Sequence, residues 1–206
     1  MNDTNFLEEI LCDNAIDLST QVVEDHYDDR RLILNGLVDN DLLEKMCLSI
    51  LTWNQEDKDI PYDKRKKIYI YINSSGGDVV FGNNLISVMQ LSKTPIVTVG
   101  FAKCYSMANY ILAAGHERYC FPHTVVLYHD GEGGYYSSGN KGKDIQKFFD
   151  KLDDINRDFM IKHTNMSKEF LDAIKDREYY MFADEAKENG IVDKIIGVDC
   201  DLDEIL

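Results

Sequence analysis

Apolar residues along the chain fall into short blocks that switch between two periods. Leu32-Ile33-Leu34 reads as a short strand followed by Gly36. Asp39 or Asn40 can then cap a helix, in which Leu42, Leu43, Met46, Ile50 and Trp53 recur at helical spacing. Residues 54–66 are charged, contain Pro61 and read as a surface loop. From Lys67 to Ile72, β-branched and aromatic residues predict a buried strand, broken by Asn73 to Asp78. A helix with Val80, Leu85, Val88, Met89 and Leu91 in its apolar stripe follows. After Pro95, Ile96 to Val99 predicts a second buried strand. Gly100 and a short turn then lead to Ser106, which opens a helix stopped by Gly115. Arg118 to Phe121 and Thr124 to Tyr128 read as two more strands separated by Pro122. Strands and helices alternating at this spacing predict a single α/β domain with right-handed parallel crossovers.

The segment 130–143 is rich in Gly and Ser and reads as flexible. Ile145, Phe148, Phe149, Leu152, Ile155, Phe159 and Met160 then share one face of a long amphipathic helix. Two arrangements suit that stripe: pairing with another subunit, or packing on the chain's own sheet. Ser167 caps a shorter helix, Tyr179–Met181 reads as a strand, 183–189 as a helix ended by Gly190, and 192–196 as a last strand. Residues 1–29 are polar and acidic, with a helical possibility over Phe6–Leu11, and 199–206 form an acidic tail.

Charge narrows the function. The 206 residues carry 22 Lys and Arg against 37 Asp and Glu, a net charge of -15. That balance argues against a duplex nucleic-acid or anionic-membrane binder, and the basic run Lys64 to Lys67 reads as a solvated loop edge. No basic, apolar leader is visible at the start, and no run approaches the roughly 18 apolar residues a membrane-crossing helix needs. Five cysteines without a CxxC pair suit a reducing compartment and give zinc no ligand spacing. The expectation is a cytoplasmic protein.

Three places carry candidate chemistry. Gly76-Gly77 follows a strand and precedes a helix, so it is either a plain turn or a pair of unshielded amides able to hold a negative charge. Ser106 stands at a strand-to-helix corner, where its hydroxyl either caps the helix or lies exposed at the carboxyl edge of the parallel strands. A nucleophilic serine needs a base, and His129, at the end of a strand, can stand at that same edge. His123 lies at the other end of that strand, and His26, His116 and His163 read as surface residues. No nucleotide-binding loop of the GxxxxGK[ST] or GxGxxG kind is present.

These residues, in order, resemble a known family. The blocks Tyr71-Ile72-Asn73-Ser74-Ser75-Gly76-Gly77, Ser106-Met107-Ala108 running to Leu112-Ala113-Ala114-Gly115, Leu127-Tyr128-His129 and Glu185 to Asp193 are similar to those of the ClpP family, the proteolytic subunits of ATP-dependent Clp proteases. The likeness covers about residues 30–198, between the polar segment 1–29 and the tail. It implies a ClpP/crotonase-like α/β fold of repeated ββα units with a protruding handle helix in the region of 130–164. It implies a serine endopeptidase with Ser106 as nucleophile, His129 as general base and the Gly77 and Met107 amides as oxyanion donors. No cofactor or metal is implied. Implied partners are polypeptide substrates, an AAA+ Clp-type unfoldase, and further copies of this chain in heptameric rings stacked in pairs as a tetradecamer.

Some positions depart from that pattern. Asp176-Arg177-Glu178 puts Glu178 where the family has its catalytic Asp, and Asp176 matches a residue implicated in ring contacts. Ser75 replaces the usual Pro, Asp130-Gly131 replaces Gln-Pro after His129, and Lys103-Cys104-Tyr105 reads as about two extra residues able to reshape the pocket beside Ser106. Three rival functions follow: an inactive ClpP-like subunit in a mixed ring, a crotonase-type acyl-CoA enzyme, and a Ser-Lys peptidase using Lys103.

Overall fold

Alternation along one strand sets the layers. In β2 (Ile68–Gly77), Ile68, Ile70, Ile72 and Ser74 point inward, while Tyr69, Tyr71 and Asn73 lie half-buried on the other face. Each isoleucine so buried contributes about 1.5–3 kcal/mol. The computed structural model describes residues 26–131 and 137–206. Strands β1 (Arg31–Val38), β2, β3 (Ile96–Tyr105), β4 (Glu117–Cys120) and β7 (Lys194–Ile195) are parallel neighbours in the order β1-β2-β3-β4-β7. β5 (Val125–Tyr128) runs parallel to the last part of β3, and β6 (Tyr179–Met181) runs antiparallel to β5. This is the expected α/β architecture with a mostly parallel sheet.

Helices α1 (Leu48–Glu56), α2 (Val79–Leu91) and α3 (Met107–Ala113) bring Ile50, Trp53, Leu85, Met89, Ile111 and Leu112 into one core with the β2 isoleucines. A smaller cluster holds Val97, Val99, Tyr119 and Ile205, with Tyr69, Tyr71 and Phe121 against it. The tail supplies Ile205 from a 3-10 turn, Leu202–Ile205, whose Ile205 carbonyl accepts from the Tyr71 hydroxyl at 2.9 Å. At the start of β1 the buried Asp57 carboxylate accepts from the Arg30 guanidinium at 2.6 and 3.0 Å and from the Thr94 hydroxyl at 2.8 Å.

Several elements differ from the sequence expectation. β1 runs on through Gly36 to Val38, β2 through the expected break to Gly77, and β3 through the expected turn to Tyr105. In each case hydrogen bonds from a neighbouring strand carry the chain past a residue that is locally a breaker. The helix before β2 starts with a π turn at Leu43–Cys47 and reaches Glu56, into the expected loop. In α2 the buried face is Gly82, Leu85, Ile86 and Met89, while Val80 and Leu91 are exposed. The long helix, α4 (Gly139–His163), starts earlier than its apolar stripe and buries only Asn156 and Met160, leaving Phe148 and Ile155 about half exposed. Packing of the whole stripe on the chain's own sheet is thereby excluded. Helices α5 (Lys168–Ala173), capped by Ser167, and α6 (Ala183–Glu188) fall as expected. The possible helix Phe6–Leu11 and most of the Gly/Ser-rich segment's centre lie outside the described residues.

Candidate active site

The carboxyl end of β3 is where the sheet changes neighbours. Val97 to Gly100 pair with β4, whereas Lys103, Cys104 and Tyr105 pair with Val125, Val126 and Leu127 of β5. Ser106, the next residue, donates its amide to the Leu127 carbonyl at 3.0 Å and accepts from the Asn109 amide at 2.9 Å. It therefore lies alongside the end of β5, two residues short of His129. Its backbone is at φ 53° and ψ -126°, a conformation that costs an L residue about 1–3 kcal/mol. Its side chain makes no capping bond to α3, so the hydroxyl is not the helix cap. A strained strand-to-helix corner of this kind is one way to present a serine oxygen.

Gly76 and Gly77 reach the same corner from β2. They sit at φ 88° and 149°, in the region that favours glycine. A Cβ on Gly76 would lie 2.7 Å from the Ser106 Cβ, 2.7 Å from the Tyr105 carbonyl oxygen and 2.9 Å from the Met107 amide nitrogen. The pair is thus a close approach of backbones rather than a plain turn. The Gly76 amide is taken by Ser74 Oγ at 3.0 Å, and Asp78, not Gly77, donates to the Val38 carbonyl. Asp78 accepts from the Val80 and Phe81 amides and so starts α2. Met107 opens α3, where first-turn amides have no acceptor within the helix.

His129 follows β5, and Glu178 precedes β6. Their strands pair Tyr128 with Tyr179, so one further step of the register sets His129 opposite Glu178. Both line a cavity of about 190 Å³ with Asp130, Gly131, Asp176 and Arg177. The Glu178 carboxylate accepts from the Tyr180 hydroxyl at 2.8 Å, and that bond raises the tyrosine's pKa. Tyr180 packs edge-on against Tyr105 at 5.9 Å. Behind His129, burial, reinforced by Asp130, pushes the Tyr128 hydroxyl up to about 12, so it stays neutral. Asp130 accepts from the Asp176 amide at 2.8 Å and lies 3.6 Å from Arg157, which also pairs with Asp172. Asp176, at φ 58°, is therefore tied through its backbone, and α4 braces this corner through Arg157.

The structure thus sets Gly76 against Ser106 and Met107, with Gly77 beside it facing Val38, and brings His129 and Glu178 to the adjoining strand ends. Lys103 sits within the β3 ladder and His123 in an exposed turn at the far end of β5. His26, read as a surface residue, is half-buried and lines a separate cavity of about 510 Å³ with Tyr71, Phe101, Phe121 and Ile205. The residues missed from sequence are Ser74, Asp130 and Tyr180. Tyr180 had one signal, its two-residue spacing from Glu178 along an expected strand, which sets both on one face. The stretch read as holding extra residues contains an irregularity in the β2–β3 pairing. Ile72 pairs with Gly100 and Ser74 with Cys104, so the excess is a bulge at Phe101 to Lys103. Among the described residues no group of three or more His, Cys, Asp or Glu could hold a metal ion, and no helix is long and apolar enough to cross a membrane.

Comparison with known proteins agrees with this geometry. The profile of the Clp protease family matches residues 15–199. The ATP-dependent Clp protease proteolytic subunit 2 of Nocardia farcinica (strain IFM 10152) is 32% identical over 187 residues, covering 88% of this chain and 88% of that protein. With nearly the whole chain matched and the Gly-Gly, serine and histidine blocks meeting at one sheet edge, the protein belongs to the Clp protease family as a ClpP-type subunit.

Proposed function

We propose that the chain is an active serine endopeptidase that cleaves unfolded polypeptides. Ser106 is its nucleophile, His129 its general base and Glu178 the acid that orients the imidazole. The observation that carries this reading is the strained corner at Ser106, held against the Gly76 backbone with His129 just past the end of the adjoining strand. His129 takes the hydroxyl proton as the Ser106 oxygen bonds to the scissile carbonyl carbon. The carbonyl electron pair moves to oxygen, where the Gly77 and Met107 amides meet the developing charge. Collapse breaks the C–N bond, and the imidazolium proton goes to the leaving amine. Water then attacks the acyl-enzyme, losing its proton to His129, and Ser106 recovers its own.

The same reading makes the half-exposed Phe148 and Ile155 on α4 a contact between copies in stacked rings. As in its family, an AAA+ unfoldase feeds substrate and consumes the ATP, since this chain has no nucleotide loop of the GxxxxGK[ST] or GxGxxG kind. The free thiols of Cys47, Cys104, Cys120 and Cys200 suit the reducing cytoplasm. A fluorophosphonate probe tests the chemistry: wild-type protein is labelled and Ser106→Ala is not. No labelling of wild type would instead favour an inactive, structural subunit. Light scattering after size-exclusion chromatography tests the assembly, and a monomer would refute the ring.

A further inference from the structure

We infer that Tyr180 is a positioning residue, whose hydroxyl holds the Glu178 carboxylate in place for His129. The inference rests on the peptidase reading above. A glutamate has one more rotatable bond than an aspartate, and Glu178 is exposed, so packing does not fix its carboxylate. What fixes it is a hydrogen bond. The Tyr180 hydroxyl donates to Oε2 at 2.8 Å, and the register sets His129 opposite the same residue. A carboxylate has two oxygens, each able to accept, so one oxygen held by the phenol leaves the other for the imidazole. Tyr180 is itself 51% exposed, and its ring is steadied by the edge-on contact with Tyr105 at 5.9 Å and 89°. Tyr105, Leu127 and Tyr180 form one row across β3, β5 and β6, and Tyr105 is bonded directly to Ser106. The clamp therefore ties the orienting acid to the strand that carries the nucleophile. Ring packing alone would need only a phenylalanine; the hydroxyl is what reaches Glu178.

The test removes the hydroxyl and keeps the ring, in the full chain, with a small fluorogenic peptide as substrate. Tyr180→Phe lowers kcat by about 10-fold and leaves KM nearly unchanged, because a loosened acid misplaces the base without altering substrate contacts. In a Glu178→Asp background, whose carboxylate is too short to reach the phenol, the same substitution costs no more than about 2-fold. An unchanged or higher kcat in Tyr180→Phe overturns the inference. So does an equal loss in both backgrounds, which would make Tyr180 merely structural. Fluorophosphonate labelling of the wild type separates the two levels. Without labelling at Ser106, the peptidase reading falls and takes this inference with it. Labelling together with a normal Tyr180→Phe overturns the clamp alone.

Discussion

Replacing Gly76 by alanine puts a methyl group against the turn Tyr105-Ser106-Met107, which the glycine backbone already abuts. The new Cβ would lie 2.7 Å from the Tyr105 carbonyl oxygen and 2.9 Å from the Met107 amide nitrogen. Ordinary contact begins at 3.4 Å, so these atoms must give way by about half an ångström or more. They are backbone atoms, and no rotamer change relieves the clash. The residue would also hold φ 88°, which costs a side-chain-bearing residue about 1–3 kcal/mol. For a chain of this length that strain lowers Tm by about 2–12 °C. The effect on rate comes from the displaced amide. Loss of one oxyanion donor costs about 10²–10³ in kcat, and a misplacement of 1 Å costs about 10². A shift of half that size gives Gly76→Ala a peptide turnover, and a fluorophosphonate labelling rate, about 10 to 100 times lower. Both are measured beside a thermal melt, so that loss of activity can be read on folded protein. A folded variant that labels at the wild-type rate would refute the claim that this glycine abuts the reacting corner.

Two other substitutions probe the acid groups. Glu178→Gln lowers hydrolysis of a small peptide by at least about 10-fold; unchanged turnover would show that another acid, or none, orients His129. Asp57→Ala costs about 3 kcal/mol by chemical denaturation, the low end for a broken buried pair, because Arg30 keeps Glu56 at 3.2 Å. The Arg30 guanidinium holds the Asp57 carboxyl below the usual carboxylate range. A carboxyl depressed on folding contributes stability above its unfolded pKa and loses it as pH falls through the folded value. Wild-type Tm therefore drops on acidification below about pH 4 more steeply than that of Asp57→Ala, and parallel curves would refute this assignment.

The sheet was legible because its strands are written in local alternation, and the ends of those strands were not. Ile68, Ile70 and Ile72 announce β2 by themselves, but its continuation to Gly77 depends on pairing with Val38 and Cys104, residues far away in sequence. The apolar stripe of α4 was visible, yet periodicity cannot tell a face that packs from one that projects. Met160 at 0% exposure and Ile155 at 57% belong to the same stripe. At the candidate site, the reasoning that put Ser106 and His129 at one sheet edge needed only that both end parallel strands. Setting Glu178 opposite His129 needed to know that β6 lies antiparallel beside β5, which no local pattern carries.

The bulge in β3 shows how a local irregularity can be absorbed before the corner at Ser106. Between Ile72 and Ser74, β2 advances two residues, while β3 advances four, from Gly100 to Cys104. Had the excess lain next to Ser106, it would have moved the serine out of line with Leu127. Instead the ladder is restored before the corner: Cys104 is back in register with Ser74 on one side and with Val126 on the other. The looped-out residues serve a different surface, since Phe101 and Ala102 line the cavity shared with Tyr71 and Phe121, not the one that holds His129 and Glu178. The bulge also falls where β3 leaves β4 and takes up β5, and a bulge is a means of bending a strand and re-aiming its side chains. The bulge is therefore tied to the strand switch that delivers Ser106 to the end of β5, while its Phe101 and Ala102 side chains face the separate cavity.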